Sequence, residues 1–270
     1  MSNQYHILDR PDILSAIFHT RPQLGATPTT DTISDHLIPV EEGVRVGARF
    51  HLGSKNGANL LFFHGNGEIA ADYDDLGPLY NGMGINLLAV DYRGYGMSDG
   101  HPTVSAMMAD CHSIFEYAHS WLHQMGYRGP LILMGRSLGS ASAIAVAARH
   151  QNRIGGLIIE SGFAHAGPLL RLLGVDLTDL PIDRHDGFEN LDKISICRIP
   201  TLIIHAEFDH IIPYSDGQAL FKTSGAEDKQ LLKIDGANHN DILMRGFDPY
   251  MQAIVNIAER IAAGQAKHLK

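Results

Sequence analysis

The chain has 270 residues, 44% of them apolar and 19% charged, with a formal net charge of −9. This length suits an undivided α/β domain whose core needs no staples, and dispersed acidic charge speaks against nucleic acid or an anionic membrane as partner. Cys111 and Cys197 stand in no metal-ligand or CxxC spacing, no cationic leader opens the chain, and no apolar stretch reaches spanning length; the expectation is a cytoplasmic protein with reduced thiols and no membrane span.

Residues 1–35 read as an N-terminal extension. Ile13, Leu14, Ile17 and Phe18 mark one short helix in it, and a Pro/Thr-rich irregular stretch follows. Beyond it, short apolar runs alternate with helical patterns. Val44–Phe50, Leu60–Phe63, Asn86–Val90, Leu131–Met134, Leu157–Ile159, Thr201–Ile204 and Leu231–Ile234 are predicted strands. Ala70–Met83, Thr103–Met125, Leu138–His150, Tyr214–Thr223 and about Asp241–Ala263 are predicted helices. The alternation implies a mostly parallel sheet with helices on both faces, over residues 36–270. About forty residues separate Ile159 from Thr201, more than one crossover helix uses, so a small lid insertion is expected at about 161–198. Its Leu169, Leu170, Leu172 and Leu173 exceed one buried stripe, which makes Leu169, Leu170 and Leu173 candidates to line a pocket.

The chemistry centres on Gly135-Arg136-Ser137-Leu138-Gly139, a G-x-S-x-G between a predicted strand and an Ala-rich helix. Such a turn exposes the serine Oγ, and glycines on either side let it close. The helix start offers free backbone N–H groups to developing negative charge. Serine needs a base, and His239 follows the last predicted strand. Asp209 follows the strand Thr201–Ile204 and is the favoured orienting carboxylate; Glu160, at the end of the preceding strand, is its rival, although an ion pair with Arg136 would occupy it. The Leu60–Phe63 strand opens into His64-Gly65-Asn66-Gly67-Glu68. The N–H of Asn66 would join that of Leu138 as an oxyanion hole. His64 reads as a structural pin; Glu68, with Asp72, Asp74 and Asp75, reads first as charge favourable to a helix N-terminus and second as a candidate pocket residue that would disfavour anionic substrates. His119 and His123 have a metal-compatible spacing but lack a third ligand nearby, so no metal or organic cofactor is expected.

Together His64-Gly65-Asn66, Asp91-Tyr92-Arg93-Gly94-Tyr95-Gly96, Gly135-Arg136-Ser137-Leu138-Gly139, Asp209-His210-Ile211-Ile212-Pro213 and His239-Asn240-Asp241 resemble the α/β-hydrolase superfamily. More narrowly they resemble its HGN/DYRGYG branch of serine hydrolases, which includes protein depalmitoylases. Glu68 and the pair His205-Ala206 depart from the usual pattern of that branch. The resemblance implies an α/β-hydrolase fold and a Ser137–Asp209–His239 triad cleaving a small-molecule carboxylic ester or thioester through an acyl-enzyme. A serine peptidase and a non-catalytic binding protein on the same scaffold are the alternatives. The acyl chain, leaving group and oligomeric state are not legible.

Overall fold

The computed structural model describes residues 5–25, 30–178 and 187–268. Eight strands run in chain order as β1 (Ile33–Glu41), β2 (Val44–His51), β3 (Ala58–Phe63), β4 (Ile85–Val90), β5 (Leu131–Arg136), β6 (Gly156–Glu160), β7 (Thr201–Ala206) and β8 (Lys229–Ile234). They form one sheet in the order β1-β2-β4-β3-β5-β6-β7-β8. Pairings β1–β2 and β2–β4 are antiparallel, and all others are parallel. The helices are α1 (Pro11–Ile17), α2 (Gly77–Gly82), α3 (Val104–Gln124), α4 (Gly139–His150), α5 (Ala166–Leu172), α6 (Asn190–Ser195), α7 (Tyr214–Thr223) and α8 (Ile242–His268).

Strands β3, β4, β6 and β7 are buried at every position because both faces are covered. Leu61, Phe63, Leu133 and Ile159 join one buried cluster, with Ile114 and Phe115 of α3 and Ile144 of α4. Their neighbours Leu60, Phe62, Ile132 and Ile158 join another, with Tyr250, Ile254 and Ile257 of α8. Period-two alternation puts the clusters on opposite faces.

Two features differ from expectation. Strand β1 carries no strong sequence signal: it is an edge strand, mostly half-buried, with Pro39 inside it. Its pairing with β2 is closed by Glu42-Gly43, where Gly43 takes φ 74°. The predicted helix over Ala70–Met83 is instead a 3₁₀ turn, Ala70–Tyr73, followed by α2. Pro78 explains the restart, since it suits only the first turn of a helix.

The N-terminal segment packs into the domain rather than trailing from it. Leu8, Ile13, Ile17 and Phe18 are buried in the first cluster, and Pro22 bridges to Gly96. Within the expected insertion the described residues form α5 and α6, and residues 179–186 lie outside the described part. Among the described residues no helix is long and apolar enough to cross a membrane. Cys111 and Cys197 are both buried and unpaired, and burial pushes their thiols up to about 12 and about 11.

Candidate active site

The site lies at the carboxyl ends of β3, β5, β7 and β8, the edge where open α/β sheets present their ligands. Beyond β5 the chain turns sharply into α4. Ser137 holds φ 50°, a left-handed conformation that a side chain rarely adopts. Its N–H is tied to the Glu160 carbonyl at 2.9 Å. The glycines around it are dictated by space: a Cβ at Gly135 would stand 2.4 Å from the Gly139 carbonyl oxygen, and one at Gly139 would stand 2.1 Å from that of Phe63. The two glycines let strand, elbow and helix close on one another.

Across the turn, His239 Nε2 stands 3.1 Å from Ser137 Oγ, and its Nδ1 stands 2.7 Å from Asp209 Oδ2. The second Asp209 oxygen accepts from the Ile211 N–H at 3.0 Å and the Ile212 N–H at 2.8 Å. Burial works against the Asp209 charge, but His239 and these amides outweigh it and hold the carboxyl below its ordinary value. The favoured carboxylate therefore reaches the histidine. Its rival is engaged elsewhere: Glu160 is ion-paired with Arg136, whose Nε lies 3.1 Å away, and accepts from Tyr250 OH at 2.6 Å. Burial raises the Glu160 carboxyl above its ordinary value, opposed by Arg136 and Tyr250.

Leu138 caps α4, whose first N–H groups have no carbonyl partner within the helix. Facing it, Asn66 is held by its side chain. Its Oδ1 accepts from the His19 N–H and from Tyr95 OH, each at 2.8 Å. His64 is fully buried, with Nε2 3.2 Å from Asp91 and Nδ1 2.8 Å from the Gly65 carbonyl. Tyr92 OH donates to the His64 carbonyl at 2.6 Å. The Asp91–Gly96 turn thus supports the loop after β3 from below. Glu68 completes that loop, accepting from the Gly65 N–H and Tyr73 OH, each at 2.7 Å. Arg136 Nη1 lies 3.2 Å from it. Burial disfavours the Glu68 charge, yet Arg136 and His64 hold its carboxyl below the usual range.

A cavity of about 220 Å³ opens over Ser137 and His239, walled by Asn66, Glu68 and Leu138 as well as Leu169, Leu170 and Leu173 of the insertion. All the sequence-predicted site residues thus line this cavity or, for Asp209, stand directly behind it; Glu68 does so with its charge already paired. Leu172 points away and is 59% exposed. The sequence reading missed Ile17, His19, Phe163, Phe188 and Asn240, which also line the cavity. No periodicity distinguishes them, since they arrive from four separate segments. His119 Nδ1 faces Arg153 Nη2 at 3.1 Å, and no group of three or more potential metal ligands gathers among the described residues.

Comparison with known proteins agrees with this architecture. Residues 54–175 match the family model described as serine aminopeptidase, S33. Alpha/beta hydrolase domain-containing protein 17B of Homo sapiens is 32% identical over 226 residues, covering 80% of this chain and 72% of that protein. Protein bem46 of Schizosaccharomyces pombe is 27% identical over 202 residues, 73% of this chain and 66% of its own. Among solved structures, an esterase of Pyrococcus furiosus superposes with a TM-score of 0.71 at 15% identity, over 89% of this chain and 98% of that one. A soluble variant of monoglyceride lipase from Saccharomyces cerevisiae gives 0.66 at 17% identity, over 88% and 97%. The chain belongs to the α/β-hydrolase superfamily, in the branch that holds protein 17B and bem46, and is a hydrolase by family.

Proposed function

We propose that the chain is a serine hydrolase that cleaves carboxylic ester or thioester bonds through an acyl-enzyme. The observation that carries this is the unbroken hydrogen-bond chain Ser137 Oγ–His239–Asp209, at 3.1 and 2.7 Å, at the floor of a largely apolar cavity. Ser137 Oγ attacks the carbonyl carbon while His239 Nε2 takes its proton; Asp209 fixes the tautomer and stabilises the imidazolium. The Asn66 and Leu138 N–H groups receive the oxyanion. Collapse of the tetrahedral species expels the alcohol or thiol, which takes the proton from His239. Water, activated by the same nitrogen, then attacks the acyl-serine and releases the acid. Leu169 and Leu170 of α5, with Leu173 just after it, form the acyl side of the cavity.

A fluorophosphonate probe should label the protein once, at Ser137. Ser137→Ala should abolish labelling and lower kcat by roughly 10⁶-fold, the scale seen when a triad serine is lost. Undiminished labelling of that variant would remove Ser137 from the role. A second reading, peptide hydrolysis, is favoured by the description of the matching family model. Parallel assays of esters, thioesters and N-terminal amides sharing one acyl group separate the two: a peptidase turns over the amides with kcat/KM comparable to the esters.

A further inference from the structure

Arg136, the residue before the elbow, sends three N–H-bearing nitrogens to three different parts of the site. Nε lies 3.1 Å from Glu160 at the end of β6, and Nη1 lies 3.2 Å from Glu68 on the loop after β3. Nη2 donates to the backbone carbonyl of His239 at 2.9 Å. The two carboxylates are themselves anchored: Glu160 by Tyr250 OH, Glu68 by Tyr73 OH and the Gly65 N–H. A single guanidinium, only 13% exposed, therefore spans the loop bearing the base and the loop bearing Asn66.

The surroundings sharpen the point. Glu68, Arg136 and Asn240 wall the substrate cavity on one side and a second cavity of about 320 Å³ on the other. On that side Arg136 gives the base loop one bond, from Nη2 to the His239 carbonyl. Charge balance between Glu68, Glu160 and Arg136 needs only a cation. Reaching the His239 carbonyl, a neutral acceptor, at the same time as both carboxylates needs donors spread over a fixed plane, which arginine has and lysine lacks.

We propose that Arg136 is a positioning residue for the hydrolytic reaction: it sets His239 against Ser137 and against the oxyanion loop. This rests on the Ser137–His239 reading given above. The three contacts of Arg136 reach neither Ser137 Oγ nor the ring of His239, so its loss acts through the base loop. A misplacement of about 1 Å can cost on the order of 10²-fold in rate.

The experiment uses the full chain, with Arg136→Lys, Arg136→Gln and the double variant Arg136→Gln/Glu160→Gln. Active sites are titrated with the fluorophosphonate probe, and kcat, KM and the pH profile are measured per titrated site on a short-chain ester. Arg136→Lys should keep a near-native melting temperature and a KM within about twofold, yet lose roughly 10–100-fold in kcat. Arg136→Gln should lose as much and also move the ascending limb of the profile to higher pH. In that variant Glu68 and Glu160 are left uncompensated beside a histidine already faced by Asp209 and His205, and negative charge favours the imidazolium. Neutralising Glu160 in the double variant should return the limb toward its wild-type position without restoring kcat. Wild-type kcat per titrated site in Arg136→Lys, or losses confined to melting temperature and titratable fraction, would overturn the proposal and leave Arg136 a structural ion pair. Failure of the wild type to label at Ser137 would overturn the nucleophile assignment, and this proposal with it, and is read out separately.

Discussion

Asp209 and His239 meet at 2.7 Å through Oδ2 and Nδ1, although thirty positions, with helix α7 and strand β8 among them, separate them in the chain. The contact distinguishes two carboxylates that both end strands at the same edge of the sheet. Asp209→Asn should lower kcat by about 10⁴-fold, because an amide imposes the wrong tautomer on the base, with the circular dichroism spectrum unchanged. Glu160→Gln should instead cost about 1–3 kcal/mol of stability, the scale of a lost charged hydrogen bond. Glu68 remains to pair with Arg136, so the cost stays below that of stripping a lone buried pair. Its kcat per folded molecule should stay within about tenfold of wild type. Chemical denaturation alongside active-site-titrated kinetics checks both, and a reversed pattern would make Glu160 the orienting acid.

Tyr95 OH is 2.8 Å from Asn66 Oδ1, which couples the Asp91–Gly96 turn to a proposed oxyanion donor. Tyr95→Phe removes that bond with little change of shape. One neutral hydrogen bond is worth about 0.5–1.5 kcal/mol, so kcat should fall by roughly 2- to 13-fold while KM holds. The converse, a raised KM at constant kcat, would place Tyr95 in substrate binding instead.

Leu170 is 1% exposed and lines the cavity over Ser137. Each acyl methylene it receives should contribute up to about 0.8 kcal/mol, so medium-chain esters should outrun acetates in kcat/KM. Leu170→Ala should shrink that preference and also cost about 2–5 kcal/mol of stability as a core truncation. Rates are therefore compared per titrated site across a graded ester series. A chain-length profile unaltered by the substitution would confine Leu170 to packing.

His36 and His112 should make the fold acid-sensitive. Burial pushes both imidazoles down to about 4, against a local rise from Asp35 at His36 and a further fall from Arg149 at His112. Below the unfolded value of 6.5, the unfolded chain binds protons that the native state refuses. Stability is therefore fully present above about pH 6.5 and declines as pH falls toward 4. The slope is up to about 1.4 kcal/mol per pH unit for each histidine. The lowered Asp209 carboxyl has the same sign in a more acidic window: its contribution is present above its unfolded value of 3.8 and is lost as pH falls through the folded one. His36→Gln should flatten the curve between pH 6.5 and 4 in urea denaturation.

Much of this was legible in the chain because it is locally encoded. Apolar runs such as Leu60–Phe63 and Leu131–Met134 are strands buried on both faces, and the short segment after each places a functional residue at one edge. The elbow is legible for the same reason: Gly135 and Gly139 are steric requirements of a turn five residues long. Other features carried no such signal. Edge strand β1 buries too little to show a pattern, and Pro78 splits a stretch whose apolar spacing suited one helix. The choice between Asp209 and Glu160 was left open by position alone. Strand register settled which side chains meet, since Arg136 and Glu160 are direct partners across β5 and β6 and share a face. The loop after β7 carried Asp209 back to His239. His19 and Asn66, forty-seven residues apart, met for a reason no local pattern holds: α1 packs on the first core cluster, and that burial sets the next few residues against the cavity. Periodicity and turn chemistry are properties of neighbouring residues; contacts between segments depend on how buried faces fit, and only the folded chain decides them.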